Sequence, residues 1–363
     1  MANKTLRVGI IGIGVFSVFA HVPDLRATGR ADLVAISRRN PERLAMAQEK
    51  LDVPHAYTDW REMLDRTELD AVIVSTPHHL HVEPTLAALA RGLHVMVEKP
   101  MALRSEDAWS MVDAADRAGR VLMVGYPNRT DGTWRTIKQM IDQGEIGQLR
   151  QISMSDCSFR RWFWQSERLP DHAQALLRQG TGMPDAFFSD WGLAWHRKPA
   201  EMGGGAFTDI GTHLVDLLLW LAGSPAGEVA AFTEKADMPV ESFITVQSRL
   251  ANGVLLSLSW ADAVPRGLLD GDRSLLIVGE DGTITDDAEG GIWFYRNGKR
   301  TKVEPAFPTQ SKASVFVSAI LDGINGYPTA REGAHAVEFI EALYRSAAEG
   351  RIVKLERNQG AQT

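Results

Sequence analysis

The rhythm of apolar and polar positions changes once along the chain. In the first third, short apolar runs alternate with stretches whose apolar residues recur every three or four positions. Leu6–Ile11 reads as a buried strand, Gly12–Gly14 as a turn and Phe16–Thr28 as a helix. Ala31–Ser37 reads as a second strand, followed by a helix from Pro41 to Leu51 with proline in its first turn. Ala71–Ser75, His94–Val97 and Val121–Val124 are further buried strands. Between them lie a helix at Val82–Arg91, ended by Gly92, and an amphipathic helix at Ser105–Ala118, closed by Gly119. Strands and helices alternating at this spacing predict right-handed crossovers and a doubly wound parallel sheet covered on both faces.

After Tyr126 the pattern is different. Thr133–Gln143 reads as a helix with Trp134, Ile137, Met140 and Ile141 on one face. From Leu149 onward, strands follow one another without intervening helices: Glu228–Thr233, Ser242–Leu250, Val254–Ala261, Arg273–Val278, Thr283–Thr285 and Ile292–Tyr295. Asn252-Gly253 and Asn297-Gly298 are hairpin signals. The expected organisation is an α/β domain over 1–126 and an α+β domain with a mainly antiparallel open sheet over 127–350. Ala330–Glu349 would close it as a helix, leaving a frayed tail at 357–363.

The length of 363 residues agrees with two domains. Hydrophobic residues at 44% and charged residues at 23% exclude a disordered chain, a collagen-like repeat and a coiled coil. Thirty-nine basic against 46 acidic residues leave a net charge of −7, which argues against a nucleic-acid binder. Cys157 is the only cysteine, so neither an intrachain disulfide nor a cysteine-rich metal site exists. Lys4 and Arg7 before the apolar run Val8–Ala20 imitate a signal peptide, but Gly9, Gly12 and Gly14 would weaken its helix. No run reaches the roughly 18 apolar residues of a membrane span, so the expectation is a soluble, cytoplasmic protein.

Candidate chemistry begins at Gly12-Ile13-Gly14-Val15-Phe16-Ser17, between a strand and a helix. The first glycine permits a tight turn, and the second lets backbone N–H groups approach a pyrophosphate at the helix N-terminus. An NAD site places a carboxylate at the end of the second strand; here the chain reads Ser37-Arg38-Arg39-Asn40. A guanidinium pairs with a 2′-phosphate, so NADP is favoured and NAD is the alternative. Glu98-Lys99-Pro100 reaches the carboxyl edge of the sheet, where open α/β folds bind ligands. Gly203-Gly204-Gly205 precedes Asp209 and His213, which share a face if the helix begins by Asp209. The three glycines suggest close backbone approach at a site.

In these features the chain resembles the glucose–fructose oxidoreductase, inositol dehydrogenase and rhizopine-catabolism (Gfo/Idh/MocA) family. The resemblance rests on the Gly12/Gly14 turn, Ser75-Thr76-Pro77-His78-His79-Leu80-His81, Glu98-Lys99-Pro100, Gly144-Glu145-Ile146-Gly147 and Gly203…Asp209…His213, in the family's order over nearly the whole chain. It implies an N-terminal Rossmann domain, a C-terminal α+β domain, and Lys99, Asp209 and His213 converging on the reacting carbon. Ser17 departs from the family's Gly or Ala, and Arg38 from the Asp common in NAD-using members. The expected cofactor contacts are Gly12, Gly14, Val15, Phe16, Ser37, Arg38, Arg39, Thr76, Pro77, His78, His81, Glu98 and Lys99. His78, His79 and His81 are read as lining the cofactor loop, with no metal.

Phe159–Trp195 holds four of the ten tryptophans, Trp162, Trp164, Trp191 and Trp195, among polar residues that argue against a regular buried helix. It is either a loop packing its rings onto the domain or a neighbouring subunit, or a lid facing a sugar. The expected substrate contacts are Lys99, Tyr126, Arg129, Trp162, Trp164, Asp209 and His213. The expected activity is NADP-dependent hydride transfer at a hydroxyl-bearing carbon of a sugar, cyclitol or related polyol. His213 or Lys99 would be the proton acceptor and Asp209 its support. A cofactor-dependent glycosidase of the same fold and a non-catalytic dinucleotide sensor are the alternatives. An uncovered sheet face in the second domain would make the protein a homodimer or homotetramer.

Overall fold

The computed structural model describes residues 5–158, 171–188, 195–196, 198–262, 272–287 and 290–355. Two units emerge. The first comprises Met1–Thr130, Gln165–Gly203 and Gln310–Ala334; the second comprises Asp131–Trp164, Gly204–Thr309 and His335–Thr363. The chain therefore leaves each unit and returns to it.

The first unit is built on a six-stranded parallel sheet. Its strands are β1 (Leu6–Ile11), β2 (Ala31–Ser37), β3 (His55–Tyr57), β4 (Ala71–Val74), β5 (His94–Val97) and β6 (Leu122–Val124), in the order β3-β2-β1-β4-β5-β6. Every residue of β4 is buried, as a strand covered on both faces requires. From β1 the chain moves outward through β2 to β3, then crosses to β4 and moves the other way. The reversal between β1 and β4 is the switch point at which open α/β sheets bind ligands. The intervening helices are α1 (Val22–Ala27), α2 (Pro41–Leu51), α3 (Trp60–Arg66), α4 (Val82–Ala90) and α5 (Ser105–Ala118). β3 and α3 escape the sequence reading because three and seven residues are too few for a periodicity to emerge.

The second unit holds α6 (Gly132–Asp142) and nine strands. These are β7 (Leu149–Cys157), β8 (Ala226–Glu234), β9 (Phe243–Leu250), β10 (Leu255–Ala261), β11 (Asp272–Gly279), β12 (Thr283–Asp286), β13 (Ile292–Arg296), β14 (Lys299–Lys302) and β15 (Val353–Lys354). Their order is β14-β13-β12-β11-β7-β10-β9-β8-β15, antiparallel except for the β7–β10 pair. Both hairpin signals form turns: Gly253 has φ +88°, and Asn297 and Gly298 have φ 51° and 70°. Ile152, Met154, Val246, Leu258, Trp260 and Ile277 point to one, buried face. The alternate positions are accessible and mostly polar, with Gln247 donating to Ser257 Oγ at 2.8 Å and Phe232, Leu255 and Leu276 exposed beside them.

Part of Phe159–Trp195 is described. Asp171–Thr181 (α7) and Asp185–Phe188 (α8) are helical, and Phe187 and Phe188 enter the first unit's core. No described residue of Asp171–Thr181 is buried, so this helix is not the regular buried one that the polar residues argued against, and Phe187 and Phe188 pack onto the domain. Trp162, Trp164, Trp191 and the 357–363 tail lie outside the described residues. Pro199–Met202 (α9), Ala206–Ala222 (α10), Lys312–Leu321 (α11) and Ala330–Glu349 (α12) complete the helices among the described residues. None of these is long and apolar enough to cross a membrane.

Candidate active site

The turn after β1 is shaped by its glycines. Gly12 has φ +90°, and a Cβ there would lie 2.6 Å from Ser75 O, so neither backbone nor space admits a side chain. The Gly12 and Ile13 N–H groups donate to Ser37 O at 3.0 and 2.9 Å, tying the turn to the end of β2. Gly14 differs: a Cβ would meet nothing nearer than Gly12 O at 3.9 Å, so open space faces this backbone. Ser17 takes the place of the third glycine by burying completely and donating its hydroxyl to Gly12 O at 3.0 Å. Val15 is buried in the core, whereas Phe16 is about half exposed. The helix starts with one π-helical turn, Ser17–His21, a feature frequent at functional sites. This open cradle at a helix N-terminus fits the pyrophosphate of a dinucleotide.

At the end of β2, Ser37 is buried, Arg39 is exposed, and Arg38 donates from Nη1 to Ile13 O at 2.9 Å. Burial, and then the neighbouring Arg43 cation, pushes the pKa of Arg38 down to about 10. Arg43 lies in the first turn of α2, where Asn40 caps the helix by accepting from the Arg43 N–H at 3.0 Å. Sequence reasoning missed Arg43. Its signal was the cap: Asn40-Pro41 starts a helix whose first turn places position 43 back beside the β2 end. Arg38 and Arg43 are near enough for one charge to act on the other, an arrangement that suits an anion.

The β4 and β5 ends are held by buried polar groups. His81 is fully buried, with Nδ1 2.8 Å from Pro100 O and Nε2 2.7 Å from Thr76 O. Burial, then the His78 charge, pushes its pKa down to about 4, so the neutral ring donates to one carbonyl at a time. His81 thus lies fully buried between the Thr76-Pro77 loop and the Lys99-Pro100 loop, tied by its single N–H to one of them. His78 is buried, its ring edge against Trp195 at 4.5 Å. Lys99 is half-buried, and its N–H donates to Glu98 Oε2 at 3.3 Å.

Glu98, expected as a cofactor contact, is instead buried in an ion pair with Lys312 of α11, and His21 Nε2 lies 3.0 Å from its Oε1. Burial pushes this carboxyl up, but Lys312 and His21 more than offset that and hold it well below the usual range. Tyr126 and Arg129, expected to bind substrate, are buried as well, and Arg129 donates to Glu332 at 2.6 Å. Long charged side chains enter a core only when paired, which is how both Glu98 and Arg129 come to lie inside.

In the second unit, α10 contains Asp209 and His213. Most of this helix is buried; Asp209, Ile210, His213 and Trp220 form its one partly accessible stripe. The two polar residues four apart therefore share the face that is open. The glycines before them have a different explanation from the one expected. A Cβ on Gly203 would lie 2.6 Å from Leu103, one on Gly204 2.5 Å from the Tyr344 ring, and one on Gly205 1.6 Å from Glu241 Oε2. The close approach is made by the protein's own side chains. Gly205 is the N-cap and offers no capping side chain. Glu241 substitutes for one, accepting from the Phe207 N–H at 2.8 Å and from Tyr344 OH at 2.7 Å, while the Gly205 N–H donates to Tyr344 OH at 3.0 Å. Burial pushes the Glu241 carboxyl up, opposed in part by these hydrogen bonds. Lys99 belongs to the first unit, Asp209 and His213 to the second.

Comparison with known proteins places the fold in a family. The model of an oxidoreductase family with an NAD-binding Rossmann fold matches residues 6–126, and that of the GFO/IDH/MocA C-terminal domain matches residues 134–285. The chain is 27% identical to 1,5-anhydro-D-fructose reductase of Ensifer adhaerens, over 96% of this chain and 98% of the relative. It is 27% identical to scyllo-inositol 2-dehydrogenase (NADP(+)) of Bacillus subtilis, over 97% and 96%. The crystal structure of aldose-aldose oxidoreductase from Caulobacter crescentus, complexed with glycerol, matches with a TM-score of 0.76 at 25% identity, covering 97% of this chain and all of that one. With the parallel sheet, the open glycine turn and both parts of the chain matched in order, the protein belongs to the Gfo/Idh/MocA family of NAD(P)-dependent oxidoreductases.

Proposed function

We propose that the protein is an NADP-dependent oxidoreductase acting on a hydroxyl-bearing carbon of a sugar, cyclitol or related polyol. The observation that carries the cofactor choice is the Arg38–Arg43 pair at the end of β2, where a carboxylate would select NAD. The substrate class draws on relatives named for anhydrofructose and inositol chemistry. When bound, the nicotinamide supplies the hydride acceptor. Lys99 donates a hydrogen bond to the reacting oxygen and stabilises developing alkoxide, and a His213 ring nitrogen takes the hydroxyl proton. Asp209, one helical turn away, orients the imidazole. We place the enzyme in the cytoplasm as a homodimer or homotetramer, joined through the accessible face of the nine-stranded sheet where Phe232, Leu255 and Leu276 are exposed.

The test is a screen of polyols and sugars for cofactor reduction, run with NADP and NAD in parallel. Lys99→Ala and His213→Ala are expected to lower kcat about a hundredfold or more, with dinucleotide binding retained in His213→Ala. Near-normal turnover in both variants would refute the assignment.

A further inference from the structure

Residues 171–188 belong to the first unit, although the described chain on either side of the 165–203 stretch belongs to the second. α7 packs on the Ser17–His21 turn just beyond the glycines, and α8 packs on α2. A Cβ on Gly180 would lie 3.3 Å from the Phe19 ring, so this contact is close. Phe187 and Phe188 meet edge to face at 5.6 Å and are buried among Val15, Val18, Leu44 and Ala47. The Arg38 guanidinium carbon lies 4.9 Å from the centre of the Phe187 ring, within cation–π range. The same guanidinium donates to Ile13 O. It is therefore held by a ring and by a carbonyl of the dinucleotide turn, beside Arg43.

We propose that Phe187 is a positioning residue for cofactor choice: its ring fixes the Arg38 guanidinium so that Arg38 and Arg43 form a preformed receptor for the 2′-phosphate of NADP. This rests on the NADP reading above. Arginine carries large rotamer freedom, which a free side chain loses on gripping phosphate; the ring removes that freedom before the ligand arrives. The ring also excludes water from one side of the guanidinium, and charge attraction strengthens as the local dielectric falls. NADH has no 2′-phosphate, so its binding does not draw on this arrangement. Residues 171–188, which pack their rings onto the domain, thus acquire a role at the adenosine end of the cofactor.

The experiment is a titration of NADPH and of NADH, followed by cofactor fluorescence, on the native protein and on Phe187→Met and Phe188→Met. Methionine refills the volume without a ring face. Phe187→Met is expected to raise the Kd of NADPH about threefold to thirtyfold, the range of one cation–π contact, and to leave NADH within about twofold. Phe188→Met, one ring away in the same cluster, is expected to leave the ratio of the two unchanged. Equal weakening of both cofactors by Phe187→Met, an unchanged NADPH Kd, or the same selective loss in Phe188→Met would overturn the proposal. If Phe187→Met does not fold, Phe187→Leu is read by the same ratio. Native protein that binds NADH as tightly as NADPH overturns the NADP reading itself, a result separate from any variant.

Discussion

Glu98 in the first unit and Glu241 in the second are both buried, and each accepts from a backbone N–H at or shortly before a candidate catalytic residue. Glu98 accepts from the Lys99 N–H, and Glu241 accepts from the Phe207 N–H at the start of the helix that presents Asp209 and His213. Their ionisation goes in opposite directions. Burial pushes both carboxyls up, yet Lys312 and His21 bring Glu98 well below the usual range, whereas N–H and O–H dipoles leave Glu241 raised. A full opposite charge offsets desolvation in a low dielectric; dipoles offset it only in part.

The largest effect expected from this contrast is at Lys312. Lys312→Met leaves the Glu98 carboxylate buried without its cation and should cost about 3–5 kcal/mol at neutral pH. The pH dependence has a definite sign. In the native protein Glu98 has a folded pKa below the unfolded value of 4.5, so its stabilisation is present above that pH and is lost as pH falls further. In the variant the folded pKa rises instead, so the loss should shrink as acid protonates Glu98. Denaturant unfolding at neutral pH and near pH 4.5 measures this, and an equal loss at both would contradict the ion-pair account.

The two glycine clusters sharpen the same comparison. Gly205→Ala would place a methyl carbon on the Glu241 carboxylate, so the helix start loses its substitute cap; about 2–4 kcal/mol is expected. Gly14→Ala meets open space and should change stability by less than about 1 kcal/mol while weakening dinucleotide binding. Melting curves together with cofactor titrations separate the two, and a Gly14→Ala variant as unstable as Gly205→Ala would erase the distinction.

The smallest effect is at Glu241 itself. Glu241→Gln keeps an acceptor for Phe207 N–H and should stay within about 1 kcal/mol of native at neutral pH. Because the native carboxyl is raised, its protonated form favours the fold: the native protein should gain on the glutamine variant as pH falls towards 4.5 and lose that gain as pH rises through the raised folded value. A flat difference across that range would argue that Glu241 titrates normally.

Periodicity and turn chemistry identified most of the elements, because both are properties of residues close in sequence. Ala31–Ser37, Pro41–Leu51, His94–Val97, Ser105–Ala118 and Ala330–Glu349 have the expected bounds. The glycine turn, the basic β2 end and the Asp209/His213 face were legible for the same reason. Side-chain partners were not. Glu98 meets Lys312 across 214 positions, Arg129 meets Glu332 across 203, and Tyr344 meets Glu241 across 103.

By itself, then, the sequence determined the parallel sheet, the antiparallel sheet and an open dinucleotide turn, since hydrophobic period, glycine φ and strand-end chemistry are local constraints. Only the tertiary structure decided that Gly203–Gly205 make room for Leu103, Tyr344 and Glu241 rather than for a ligand. It likewise decided that Glu98, Tyr126, Arg129 and His81 lie inside, and that Phe187 returns to Arg38. The physical reason is burial: whether a glutamate or an arginine faces solvent or a partner depends on which distant segment packs over it, and one residue's neighbours along the chain carry no record of that.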